Sequence, residues 1–201
     1  DIFDEAGLAY PPASAERAWK WDEFVQVAKK ITLDAAGRSP NDVGFDPNNV
    51  DRFGVRIPHW WMPQETFAIS NGGGYASPDG KKLILNSPAS IEAIQKQADL
   101  INVHHVSPTP ASEQALPTVE TALLTGKVAM QADGQWTLLT LNVTKRDSGL
   151  KFGVGVLPYM KELATTSVGT PIVVFKTTKN PAEAKKLLEF VMDPQNSLPL
   201  I

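Results

Sequence analysis

Cysteine is absent from the 201 residues. That removes disulfides, thiolate catalysis and cysteine-ligated zinc. No run approaches the ~20 consecutive apolar residues that a helical membrane span needs. Positive charge is not in excess either: 19 Lys and Arg stand against 22 Asp and Glu, a net charge of −3. That balance lacks the electrostatic footprint of a nucleic-acid binder, so no nucleic-acid partner is expected. There is no G-x-S-x-G elbow and no H-E-x-x-H helix. His104 and His105 are adjacent, so on a helix end they point about 100° apart and read as a solvated terminus. His59 has no Cys or His partner near it. Four aspartates fall within 34–52, but the residue order of a calcium loop fails at every start. Gly72-Gly73-Gly74 follows a helical pattern rather than a strand, so it reads as a helix terminus and not as a dinucleotide loop. Asn142-Val143-Thr144 is a formal glycosylation sequon at what reads as a helix end. Nothing singles out a carboxylate pair for glycoside hydrolysis, whose spatial spacing a sequence does not show. No cofactor and no metal are expected.

Five Trp, eight Phe and three Tyr among ordinary aliphatics describe a packed chain, not a solvated coil. A chain of this length can bury roughly 70% of its unfolded surface. Trp21, Phe24, Ala28 and Ile31 recur at helical spacing, with Asp22 and Glu23 early and Lys29 and Lys30 late, which suits the helix dipole. Residues 34–52 read as a long surface loop and Phe53–Ile57 as a short strand. Gln64–Ser70 reads as helix, Ser77-Pro78-Asp79-Gly80 as a turn, and Lys81–Leu85 as a strand. Ser87 caps a helix with Pro88 at its first position, and Ile91, Ile94, Ala98 and Ile101 mark the face expected to be buried. Residues 107–117, with three prolines, read as loop. Thr118–Thr125 reads as a short helix with Gly126 as its left-handed cap. Val128, Met130 and Ala132 alternate as a strand, and Gln135–Leu141 is helical. Phe152–Leu157 and Thr170–Phe175 are expected as strands. Asn180-Pro181 opens a last helix with Ala184, Leu187, Leu188 and Val191 on one face. Helices and strands alternate with no tight hairpin, which predicts a layered α/β fold.

The aromatic placement carries the functional signal. Trp60 and Trp61 follow Pro58, between a strand and a helix. Trp136 follows Asp133-Gly134, again between a strand and a helix. Strand ends on one edge of a sheet are where α/β folds bind ligands. An indole offers a flat apolar face with a donor at its rim, which suits the C–H face and hydroxyl rim of a sugar. The competing reading is that each Trp is core; Trp21, on the apolar face of its helix, is assigned to packing.

Several segments resemble the extracellular solute-binding proteins of ABC importers, the sugar-binding group that includes maltose-binding protein. Leu8-Ala9-Tyr10-Pro11-Pro12 followed by Trp21-Asp22-Glu23-Phe24 and Ala28-Lys29-Lys30 resembles the start of that family's second lobe. Asp42-Val43-Gly44-Phe45-Asp46-Pro47-Asn48-Asn49, Phe53-Gly54, Asn71-Gly72-Gly73, Asp79-Gly80-Lys81 and Leu85-Asn86-Ser87-Pro88 follow in the family's order. The strongest piece is Leu124-Thr125-Gly126-Lys127-Val128-Ala129-Met130 with Asp133-Gly134-Gln135-Trp136. Phe152-Gly153-Val154, Leu157-Pro158 and Val168-Gly169 come after it. There are departures: Lys20 stands where the family has a Thr or Ser helix cap, and Leu123 and Leu124 where it has Phe.

The resemblance implies an α/β periplasmic-binding-protein-like lobe with a mixed sheet flanked by helices, spanning 1–201 as the second lobe of a bilobal protein. Residues 176–201 are then expected to pack on the first lobe. It implies a ligand wall at Trp60, Trp61, Trp136 and Gly169, a small-molecule sugar as ligand, and ABC permease subunits as partners. The expected location is extracytoplasmic, in the periplasm or lipid-anchored at the outer face of the cell membrane. No chemistry on the ligand is expected. Asp1 opens the chain without Met or a basic-then-apolar leader, and Leu198-Pro199-Leu200-Ile201 closes it abruptly, so the chain is read as an excised or truncated segment. Where the helix at 181–192 has lost its partner, it is expected either to self-associate with another copy of the chain or to dock on its own lobe in a position the longer protein does not use. Two other classes stay open: a carbohydrate-active hydrolase fragment, and a protein-interaction module using the Trp residues as a docking patch.

Overall fold

A computed structural model describes residues 2–169 and 171–197. The chain divides into two compact units, Asp1–Thr166 and Ser167–Ile201. In the first unit a three-stranded sheet has the order β1 (Leu33–Asp34), β2 (Val50–Arg56), β3 (Val128–Gln131). β1 pairs antiparallel with β2, and β2 pairs parallel with β3 in the register Phe53↔Val128, Val55↔Met130 and Arg56↔Gln131. The sheet is therefore mixed, and helices flank it.

Short α1 (Ile2–Glu5) precedes α2 (Trp21–Ile31), which buries Trp21, Phe24, Val25, Ala28 and Ile31 on one face. Lys20 at its N-cap provides no side-chain cap. The Trp21 N–H donates instead to Tyr159 O at 2.8 Å, and Lys20 forms a parallel bridge with Tyr159. A backbone contact from a distant segment thus takes up one of the first-turn donors, the N1 N–H, while the N2 and N3 donors that a Ser or Thr cap would serve gain nothing from Lys20. Trp21 packs on Phe24 and edge-on against Phe67, with ring centroids 5.5 and 5.1 Å apart. Phe67 belongs to α3 (Trp61–Ser70), and with Val55, Ile57, Leu100 and Val106 these rings make the main core.

α4 (Pro88–Asn102) begins as the sequence predicts: Ser87 Oγ accepts from the Ser90 N–H, with Pro88 at the first turn. The buried face is a correction. Ile91 and Ile94 are exposed, while Ser90, Ala93 and Leu100 are buried. Ser90 Oγ donates within 3.1 Å of Gly74 O and Ile84 O and accepts from the Gly74 N–H at 3.0 Å. Small residues on this face let the Gly73–Gly74 backbone come against the helix, so polar closeness, and not the isoleucines, sets its orientation. His104 and His105 follow α4; His104 Nδ1 is buried with no hydrogen-bond partner in view, and burial pushes its pKa down.

Residues 107–117 are not all loop. Thr109 Oγ1 accepts from the Ser112 N–H at 3.1 Å and Pro110 starts α5 (Pro110–Ala115). The prolines that suggested a loop include one at the position where proline favours a helix. α6 (Val119–Leu124) ends as predicted: Gly126 has φ +70°, its N–H donates to Leu123 O, and the Lys127 N–H donates to Ala122 O. This pair of bonds is a Schellman closure, and it feeds the chain directly into β3. α7 (Thr137–Ser148) runs longer than predicted, to Gly149 in the left-handed region, so Asn142-Val143-Thr144 lies within it.

Two predicted strands of this unit are corrected. Lys81–Leu85 forms no strand but a single antiparallel bridge, Ala76↔Leu83, closed by Ser77 N–H to Lys82 O. Phe152–Leu157 runs without ladder partners apart from the Val156 N–H on Pro12 O. An apolar run needs a sheet edge to become a strand, and no ladder forms along this one.

In the second unit, α8 (Pro181–Met192) forms where predicted and α9 (Pro194–Ser197) follows. The expected strand 170–175 is not formed over 171–175, where Ile172, Val173 and Phe175 are exposed; Thr170 lies outside the described residues. On α8, Leu187, Phe190, Val191 and Met192 are all exposed.

Candidate functional site

β2 and β3 lie side by side and parallel, so their C-terminal ends open on the same edge of the sheet. β2 ends at Arg56 and leads through Ile57-Pro58-His59 to Trp60. β3 ends at Gln131 and leads through Ala132-Asp133-Gly134-Gln135 to Trp136. Trp60 is the N-cap residue of α3 and Trp136 the N-cap residue of α7. Two strand-to-helix turns, far apart in sequence, thus deliver indoles to one place.

The rings meet there. Trp60 lies edge-to-face with Trp61, centroids 5.7 Å apart and planes at 77°. It lies likewise with Trp136, at 6.0 Å and 68°. Their exposures are 38% for Trp60, 46% for Trp61 and 48% for Trp136. A core assignment is therefore untenable for all three, in contrast to Trp21 at 4%. Separations of this size are the edge-to-face packing range for aromatics, so the indoles touch one another. A ligand would lie against their outer surfaces and not between them.

Support for the cluster comes from behind. The Tyr75 hydroxyl donates to Trp61 O at 3.0 Å, bracing the first turn of α3. At the other end of α3, Ser70 Oγ donates to Glu162 O at 2.6 Å and accepts from the Met160 N–H at 2.9 Å. Thr66 Oγ1 also contacts Thr166 Oγ1. Arg56, at the end of β2, donates through Nε to Glu113 Oε1 at 2.7 Å and so ties α5 to the edge. Neither Trp60 nor Trp136 makes a side-chain cap, so the first-turn N–H groups of both helices have no side-chain acceptor from these positions. The arrangement can offer a ligand apolar plates with indole N–H donors at their rims; the Thr137 and Leu138 N–H groups of α7 already donate to Gly134 O and Gln135 O. His59, next to the cluster in sequence, is exposed.

Gly169 lies exposed in the second unit. Among the described residues, no group of three or more His, Asp and Glu comes together as a metal site. A cavity of about 270 Å³ lies between α2 and α4, bordered by Trp21, Gln26, Lys96, Asp99 and His104, and is not part of the indole edge. Tyr75 is a supporting residue that the sequence did not single out; no spacing rule links it to Trp61.

The profile of the bacterial extracellular solute-binding proteins matches residues 1–197. The chain belongs to that family. A putative binding protein of Brucella abortus is 26% identical over 193 residues, covering 95% of this chain and 42% of the relative. An ABC transporter solute-binding protein from Thermotoga lettingae, solved with α-D-tagatose, is similar with a TM-score of 0.75 and 23% identity. The likeness covers 99% of this chain and 47% of that one. An ABC substrate-binding protein from Listeria monocytogenes in complex with cycloalternan has a TM-score of 0.70 and 22% identity, over 96% of this chain and 44% of that one. The chain thus spans less than half the length of the proteins it matches. The mixed α/β fold is that of periplasmic-binding-protein lobes. Among the described residues no helix is long and apolar enough to cross a membrane.

Proposed function

We infer that this chain is the second lobe, over 1–201, of a bilobal carbohydrate-capturing protein that serves an ABC import system outside the cytoplasm. The periplasm or the outer face of the cell membrane, through a lipid anchor, is the location that suits this role. The observation that carries the reading is the convergence of Trp60, Trp61 and Trp136, all about half exposed, on the edge shared by β2 and β3. The solved relatives named above carry sugars, which supports the same ligand class. Capture needs no bond made or broken, only apolar stacking and hydrogen bonds, and the edge offers both. In the intact protein a hinge closes two lobes over the ligand, and permease subunits read the closed form.

One lobe leaves most of a sugar solvated. The chain alone is expected to bind mono- and oligosaccharides at millimolar affinity or weaker, about −4 kcal/mol or less favourable. Calorimetric titration with a saccharide panel tests this. Trp136→Ala and Trp60→Ala are each expected to abolish the heat. Micromolar binding by the chain alone would overturn the half-site reading, and binding indifferent to both substitutions would overturn the site.

The apolar face of α8, with Leu187 63% exposed, supports a further expectation. Fully burying a Leu or Val side chain is worth ~1.5–3 kcal/mol. Residues 176–201 are proposed to pack on the first lobe in the longer protein, and in the chain alone to bring two copies together. Light scattering should then show mass rising with concentration, and truncation after Lys179 should remove the rise. A monomeric parent at all concentrations would refute the self-association.

A further inference from the structure

Gly134 is the one position in the indole edge where a missing side chain determines where a ring can sit. The six-membered ring of Trp136 folds back onto it: a methyl group built on Gly134 would overlap Cη2, Cζ3 and Cζ2 of Trp136. The usual reason for glycine in a turn does not apply. Gly134 is not in the left-handed region, so its backbone would accept alanine without strain. Nor can its peptide easily retreat. Its N–H donates to Asp133 Oδ1 at 2.8 Å, and its carbonyl accepts from the Thr137 N–H at 3.2 Å, at the start of α7. With the backbone held on both sides, the indole is what must move. Trp136 would have to leave for another staggered rotamer, and its 6.0 Å edge-to-face contact with Trp60 would go with it.

We propose that Gly134 is a positioning residue whose bare Cα seats the Trp136 ring and so fixes the angle between the Trp136 and Trp60 plates. That Trp136 meets a ligand rests on the reading above; the seating of its ring does not, so the test uses no ligand. Indoles in close edge-to-face contact give an exciton couplet in circular dichroism. The Trp60–Trp136 part of it is the component that Trp136→Phe removes. Gly134→Ala is expected to remove the same component while the thermal midpoint stays within a few degrees of the parent. In a Trp136→Ala background, Gly134→Ala should leave both the spectrum and the midpoint where Trp136→Ala alone puts them, because the clash no longer exists. A Gly134→Ala variant that keeps the full couplet would overturn the proposal. So would a Gly134→Ala effect of equal size with and without the Trp136 ring, since it would then act through the backbone. Saccharide titration, run separately, fails or succeeds independently of either result.

Discussion

Replacing Gly54 by alanine is expected to destabilise the protein by about 3 kcal/mol, at the upper end of the usual cost of overpacking. Gly54 sits in β2 where that strand crosses the C-terminal end of α2. A Cβ there would fall on Ala28 O, 2.9 Å from Ala28 C and 2.7 Å from Thr32 Oγ1. The first two are helix backbone atoms, which cannot rotate aside. The Gly54 N–H also donates to Thr32 Oγ1 at 3.0 Å, and that hydroxyl donates to Ala28 O at 2.7 Å. Thr32 is fully buried, so a displaced strand would leave polar groups unpaired, at about 1–3 kcal/mol each. Urea unfolding should show a lower midpoint with an unchanged slope. Adding Thr32→Ala should not rescue it, because the backbone of Ala28 remains in the way. A parental midpoint would mean that β2 and α2 are not in contact as described. Because β2 leads straight into Trp60, loosening this crossing should also weaken the indole edge.

Local signals predicted several elements because each carries its own chemistry at a fixed spacing. Ser87-Pro88 and Thr125-Gly126 mark helix ends through groups only a few residues apart, and both appear where expected. The face of α4 was misread because burial there follows backbone approach, which Ser90 and Ala93 permit, and not the positions of Ile91 and Ile94. Strands at 152–157 and 170–175 were inferred from apolar runs, but a strand is a pairing property and depends on what lies alongside. The strand-to-helix location of Trp60 and Trp136 was legible from their neighbours. Their contact was not, because it depends on β2 and β3 being parallel neighbours across four intervening helices. Gly134 stood in view as part of a motif, yet only the folded ring shows which atoms need the space.

Asp34 should govern stability in acid. Its side chain is 1% exposed at the end of β1. The carboxylate accepts from the Ala36 and Arg38 N–H groups and from Arg38 Nε, each at 2.9 Å, and from the Asp46 N–H at 3.1 Å. Burial pushes its pKa up, but together the hydrogen bonds from Arg38, Asp46 and Ala36 outweigh it and hold the group at about 2. An unfolded aspartate titrates near 3.9. The folded value is depressed, so the unfolded state binds more protons between these two pH values, and stability falls as pH falls through them. The contribution is fully present above the unfolded value and is lost as pH falls through the folded value of about 2. Asp34→Asn keeps the shape but removes the charge and turns one acceptor into a donor facing other donors. It is expected to destabilise by about 2–3 kcal/mol at pH 7. The gap to the parent should shrink steadily on acidification and nearly close at about pH 2, where the parent's carboxylate is itself protonated. Asp42, Asp79 and Glu92 are also held below their ordinary values by hydrogen bonds, so the variant should keep part of the acid slope. Urea unfolding of both proteins across pH 2 to 7 measures the difference. Parallel curves, with a gap independent of pH, would show that Asp34 holds the 35–49 loop by shape and not by charge.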